Sequence, residues 1–82
     1  MPASLRTLSG ADVVRALSQF GSAQVKHPGS HVKLRREGPN GERQTLHVPL
    51  HREMKAGTLR AIFRQASEYV PATELRPFFF TD

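Results

Sequence analysis

The chain predicts an α+β domain in which two helices cover one face of a three-stranded antiparallel sheet. Three observations carry this expectation. Val13, Leu17 and Phe20 recur at i, i+4 and i+7, and Leu59, Ile62, Phe63 and Ala66 at i, i+3, i+4 and i+7, so each set forms one apolar stripe on a helix. Between them, Val32 and Leu34 alternate with Lys33 and Arg35, while Leu46, Val48 and Leu50 alternate with Thr45, His47, Pro49 and His51. That period of two is the mark of strands with one buried face. Finally, the turn signals His27-Pro28-Gly29-Ser30 and Gly38-Pro39-Asn40-Gly41 join neighbouring strands as hairpins.

The elements follow in order. Residues 1–8 lack periodicity and read as a lead-in, leaving residues 9–82 as a single domain. Ser9 is placed to cap the first helix, with Asp12 three residues on completing an imperfect capping box. The helix should run from Gly10 to Phe20 and stop at Gly21. Ala23 to Lys26 is a short edge strand with Val25 as its one large apolar residue. In the turn that follows, Pro28 presets φ and Gly29 tolerates a positive φ, the requirements of a type II turn. Strands are expected over His31–Glu37 and Gln44–Leu50. Thr58 is the expected cap of the second helix, which should reach Tyr69 before Pro71 ends the pattern. Thr73-Glu74-Leu75 predicts one further short turn. Phe78-Phe79-Phe80 holds half the aromatic residues of the chain. Either the cluster folds back onto the core or it is a sticky terminal patch for a partner; a domain this short has few other large side chains to bury, which favours the core.

Eighty-two residues suffice for one domain and leave no room for a second domain or a large cofactor pocket. Lys and Arg outnumber Asp and Glu by 12 to 7, for a net charge of +5 and a pI near 10.8. Such a balance favours a polyanionic partner, either nucleic acid or an acidic protein. There is no cysteine, hence no disulfide framework and no thiolate zinc ligand. No apolar run approaches the ~20 residues of a membrane span, and the N-terminus lacks the apolar core of a signal peptide; a cytoplasmic location is expected.

The chemistry concentrates at His31. It opens its strand with the parity of Lys33 and Arg35, so the three side chains should project from the exposed face, next to the turn formed by Gly29 and Ser30. Lys33-Leu34-Arg35-Arg36 gives this segment a stripe of positive charge. At strand rise Lys33 and Arg35 lie ~7 and ~13 Å from His31. An imidazole beside two cations suits a phosphate. His47 and His51 share the exposed parity of the third strand and are candidates for a second role, with His51 also placed to orient the junction before the second helix. The four-residue spacings His27/His31 and His47/His51 do not make a metal site, since a turn separates the first pair and no carboxylate sits between.

The order of elements matches the double-stranded RNA-binding fold, and particular residues go further. Gly29-Ser30-His31 after a short strand, Asn40-Gly41, Val48-Pro49-Leu50-His51 and Lys55-Ala56-Gly57-Thr58-Leu59-Arg60-Ala61-Ile62 resemble the HicA (YcfA-like) toxins of bacterial toxin–antitoxin modules. The resemblance spans about Ser9 to Leu75. Gly-Ser-His alone is a weak signal; with Pro-x-His and a Gly-Thr-Leu-Arg helix start beyond it, the pattern becomes specific. It implies a ribosome-independent mRNA interferase whose catalytic histidine is His31, and a HicB-type antitoxin that neutralises it by covering this surface. Ser22 and His27-Pro28 depart from the family's usual residues at those positions.

Cleavage of RNA without a metal or cofactor can use the 2′-hydroxyl against the adjacent phosphate. Histidine, ordinarily titrating near pH 6.5, serves as base or acid in such a step, while Lys33 and Arg35 would hold the reacting and flanking phosphates. Two other readings stay open: a non-catalytic RNA-binding module on the same fold, and a basic protein that meets an acidic partner.

Overall fold

The computed structural model describes residues 3–26 and 29–81. Eight elements follow one another: β1 (Ser4–Leu5), α1 (Gly10–Ser18), β2 (Ala23–Lys26), β3 (His31–Glu37), β4 (Arg43–Pro49), α2 (Ala56–Ala66), α3 (Ala72–Phe79) and β5 (Phe80–Thr81). The central sheet has the order β2-β3-β4 and is antiparallel throughout. Its register sets Val32 opposite Val48 and Leu34 opposite Leu46. These four side chains make one buried face with Val13 and Leu17 of α1 and Leu59, Ile62 and Ala66 of α2. Both helices therefore lie on the same side of the sheet, and the expected α-β-β-β-α order holds.

Ser9 caps α1 as its sequence suggests. Its hydroxyl accepts from the Asp12 N–H at 3.0 Å, and its own N–H donates to the Asp12 carboxylate at 2.9 Å. Gly10 has a further role that periodicity does not reveal. A Cβ there would come within 2.2 Å of the Pro49 carbonyl oxygen, so only glycine lets the start of α1 sit on the end of β4. The Gly10 N–H then donates to the His51 carbonyl at 2.8 Å.

The β3–β4 hairpin closes through Gly38 N–H to the Glu42 carbonyl at 2.7 Å, with Gly41 at φ +79°. Among the described residues no non-glycine residue has a positive φ. Pro39-Asn40-Gly41 is thus a three-residue loop ending in a left-handed glycine, rather than a two-residue turn with both centres left-handed. Gly29 also has a positive φ, +69°; the His27-Pro28 half of that turn lies outside the described residues.

α1 ends at Ser18 rather than Phe20, and β4 spans Arg43–Pro49 rather than Gln44–Leu50; three further boundaries differ from the sequence expectation. Thr58 does not cap α2: the helix starts at Ala56, with Lys55 as N-cap and no side-chain hydrogen bond. At its other end α2 stops at Ala66, because Glu68 and Tyr69 bond three residues back to Gln65 and Ala66 and tighten the chain into turns. Third, the segment around Thr73-Glu74-Leu75 is a full helix that runs through Pro77 to Phe79. Leu75 and Phe79, four residues apart and both fully buried, hold it on the core.

The phenylalanine cluster folds inward. Phe79 is fully buried, and Phe63 meets Phe79 and Phe80 edge-on at 5.4 and 5.2 Å between ring centroids. Phe78 packs edge-on to Phe20 at 5.4 Å. Beyond it, β5 pairs with β1, Ser4 opposite Thr81 and Leu5 opposite Phe80, so the two ends of the described chain close against each other.

Candidate phosphate-facing site

The helices cover one face of the sheet; the other carries the polar side chains of alternate residues. Along β3 these are His31, Lys33, Arg35 and Glu37, and the register sets them opposite Pro49, His47, Thr45 and Arg43 of β4. His31 and His47 are exposed, and Lys33 and Arg35 are half-buried. Lys33 and His47 form a directly opposed pair, with Cβ atoms roughly 5 Å apart, and His47 lies diagonal to His31 at roughly 7–8 Å. A second imidazole thus shares the face of the first, a juxtaposition that needs the strand register as well as the parity.

His31 is held from both sides of its strand end. The Ser30 carbonyl accepts the Leu50 N–H at 2.7 Å, which ties the Gly29-Ser30 arm to the residue after β4. The Ser30 hydroxyl lies 3.3 Å from His31 Nδ1. In the tautomer protonated at Nε2, that hydroxyl donates to Nδ1 and steadies the ring. Leu50 and His51 are in turn fixed by the Gly10 contact described above, and the Met54 N–H donates to the Leu8 carbonyl at 2.8 Å. Gly10, Leu50 and Leu8 therefore position the site through backbone groups, and sequence reasoning missed all three. The one available signal was glycine as the first residue of a helix, a costly choice unless another backbone comes close.

Arg36 leaves the group to which its charge assigned it. Its parity is that of Val32 and Leu34, and its guanidinium turns to the helix side. There Nε donates to the Phe20 carbonyl and Nη1 to Gln44 Oε1, both at 2.6 Å. This side chain ties the end of α1 to β3 and β4. His51 is exposed in the connection after β4; its carbonyl, rather than its imidazole, makes the recorded bond. Among the described residues, no three His, Cys, Asp or Glu side chains come together as a metal site, and no helix is long and apolar enough to cross a membrane.

Two helices on one face of a three-stranded antiparallel sheet, with a basic open face, define a small α+β module of the double-stranded RNA-binding-domain type. The family model described as HicA toxin of bacterial toxin-antitoxin matches residues 10–67. The chain belongs to this HicA toxin family. Comparison with curated proteins and with solved structures gives no match.

Proposed function

We propose that this toxin is an endoribonuclease that cleaves mRNA on its open sheet face, with His31 as general base or acid. The observation that carries the reading is the exposed imidazole of His31 on the same face as Lys33, with His47 opposed to Lys33 across the register. In the step, one imidazole takes the proton from the 2′-hydroxyl and the oxygen attacks the adjacent phosphorus. The bond to the 5′-oxygen breaks, and that oxygen receives a proton from a second group. The products are a 2′,3′-cyclic phosphate and a 5′-hydroxyl. Lys33 stabilises charge on the phosphorane, Arg35 holds a flanking phosphate, and His47 is placed to supply the second proton-transfer group. Gly29 and Ser30 aim His31. A HicB-type antitoxin would neutralise the toxin by covering this face.

The test is RNA integrity in EDTA, with wild type and His31→Ala both shown folded by circular dichroism. Wild type should fragment a long unstructured RNA to cyclic-phosphate ends, and His31→Ala should lose about 10²–10⁴-fold in rate. His47→Ala should lose a comparable factor if it is the second group, and little if water serves. Equal cleavage by wild type and His31→Ala would remove His31 from the mechanism. Intact RNA that still shifts on a gel would leave a binding module.

A further inference from the structure

The open face continues past the candidate site to a groove lined by Val25, Arg35, Arg36, Glu37, Gly41 and Arg43. Val25 is 45 % exposed, an unusual position for a β-branched apolar side chain on this face. The Arg35 Nε–H is buried and has no acceptor among the described residues. That atom is closed to solvent, so an anion in the groove would be met by the terminal nitrogens of Arg35, which likewise make no hydrogen bond among the described residues. Arg43 is exposed and, although the register sets it opposite Glu37, the two form no ion pair among the described residues. Arg36 also borders the groove, but its guanidinium is turned to the helix side and committed to Phe20 and Gln44, so it offers the groove no free donor. The groove thus presents two guanidinium groups with donors to give, one carboxylate and one apolar platform.

We propose that this groove is a second RNA subsite, in which Arg35 and Arg43 hold a phosphate flanking the scissile one and Val25 seats the attached base. The assignment rests on the RNA reading of the open face. It also favours RNA over a protein here, because the groove lies on the same face as His31 and Lys33. Residues 31 to 37 extend over roughly 20 Å at strand rise, enough for a few nucleotides of single strand. Val25 offers no hydrogen-bonding group, so the subsite takes any base and contributes affinity without sequence preference.

The experiment measures binding of a fluorescent, single-stranded 2′-O-methyl RNA of mixed sequence, which lacks the attacking hydroxyl, by anisotropy over a range of salt. Cleavage of the all-ribose oligonucleotide is read in parallel. Arg43→Ala should reduce the salt slope by about 0.7 and weaken binding about fourfold near 0.15 M salt, the worth of one single-strand phosphate contact. Arg43→Lys should keep the slope. Val25→Ser should cost about threefold at every salt concentration. Arg64→Ala, which removes the same charge from the exposed side of α2 on the other side of the molecule, should leave binding unchanged. Equal effects of Arg43→Ala and Arg64→Ala, or none from either, would overturn the subsite, as would failure of wild type to bind. An Arg43→Ala effect on antitoxin capture but not on RNA would overturn it in favour of a protein surface. Arg43-dependent binding without cleavage by wild type would overturn the nuclease reading and leave the subsite standing.

Discussion

Asp12 and Ser9 close the N-terminus of α1 with two reciprocal hydrogen bonds, and Arg15 pairs with the same carboxylate. The Ser9 backbone N–H is the main reason that the Asp12 carboxyl is held below its ordinary value of 3.8; the Ser9 hydroxyl and the Arg15 charge add to it. A carboxyl whose folded value is depressed stabilises the fold above its unfolded value and loses that contribution as pH falls through the folded one. Thermal unfolding followed between pH 5 and pH 2.5 should therefore show a steeper loss of Tm on acidification for wild type than for Asp12→Asn. Parallel curves would mean that the cap adds nothing to stability. Arg36 makes a different point at the same scale: position on the strand outweighs charge. Lys33 and Arg35 keep the open face, while Arg36, one residue on, becomes a tie between α1 and the sheet.

Among the elements, the contact between α1 and the end of β4 decides how well the site is held. Gly10 is the point of closest approach, and its N–H bond to the His51 carbonyl sits next to the Leu50–Ser30 bond that anchors His31. Gly10→Ala should force α1 away from β4 by the overlap with the Pro49 oxygen. A loss of at least 1–3 kcal/mol in urea unfolding is expected, the usual cost of overpacking. The rate of RNA cleavage should fall as well, because His31 loses its support. A variant as stable and as active as wild type would show that α1 shifts without disturbing the β4 end. The α2 cap belongs to this scale too: Thr58 has the right chemistry but lies inside the first turn, since the helix already begins at Ala56 with Lys55 as its N-cap.

At the scale of the whole molecule, the segment after α2 completes the core of a chain with only 82 residues. Leu75 and Phe79 are fully buried, and the Phe63, Phe79 and Phe80 rings interlock at 5.2–5.4 Å. Phe79→Ala should cost about 3–5 kcal/mol, a large part of the ~5–15 kcal/mol that holds a domain together. Chemical denaturation should show a much lower midpoint or no folded baseline at all. An effect below about 1 kcal/mol would mean that α3 and β5 are an appendage to a core already complete.

Local pattern was enough for much of this protein. The two apolar stripes, the alternation of β3 and β4, the Ser9 cap and the hairpin signals at 38–41 each depend on neighbours a few residues away, so they are legible in one chain. The family could be read too, because its motifs are short and locally spaced. Tertiary structure decided what depends on distant partners. The opposition of Lys33 and His47, the closeness of Gly10 to Pro49, the turning of Arg36 toward Phe20 and the pairing of Leu5 with Phe80 all join residues whose relation appears only when the sheet register and helix packing are set. Helix ends fell in the same class: α2 stopped short of Tyr69 and α3 ran through Pro77, since burial of Leu75 and Phe79 outweighs the hydrogen bond that a proline removes.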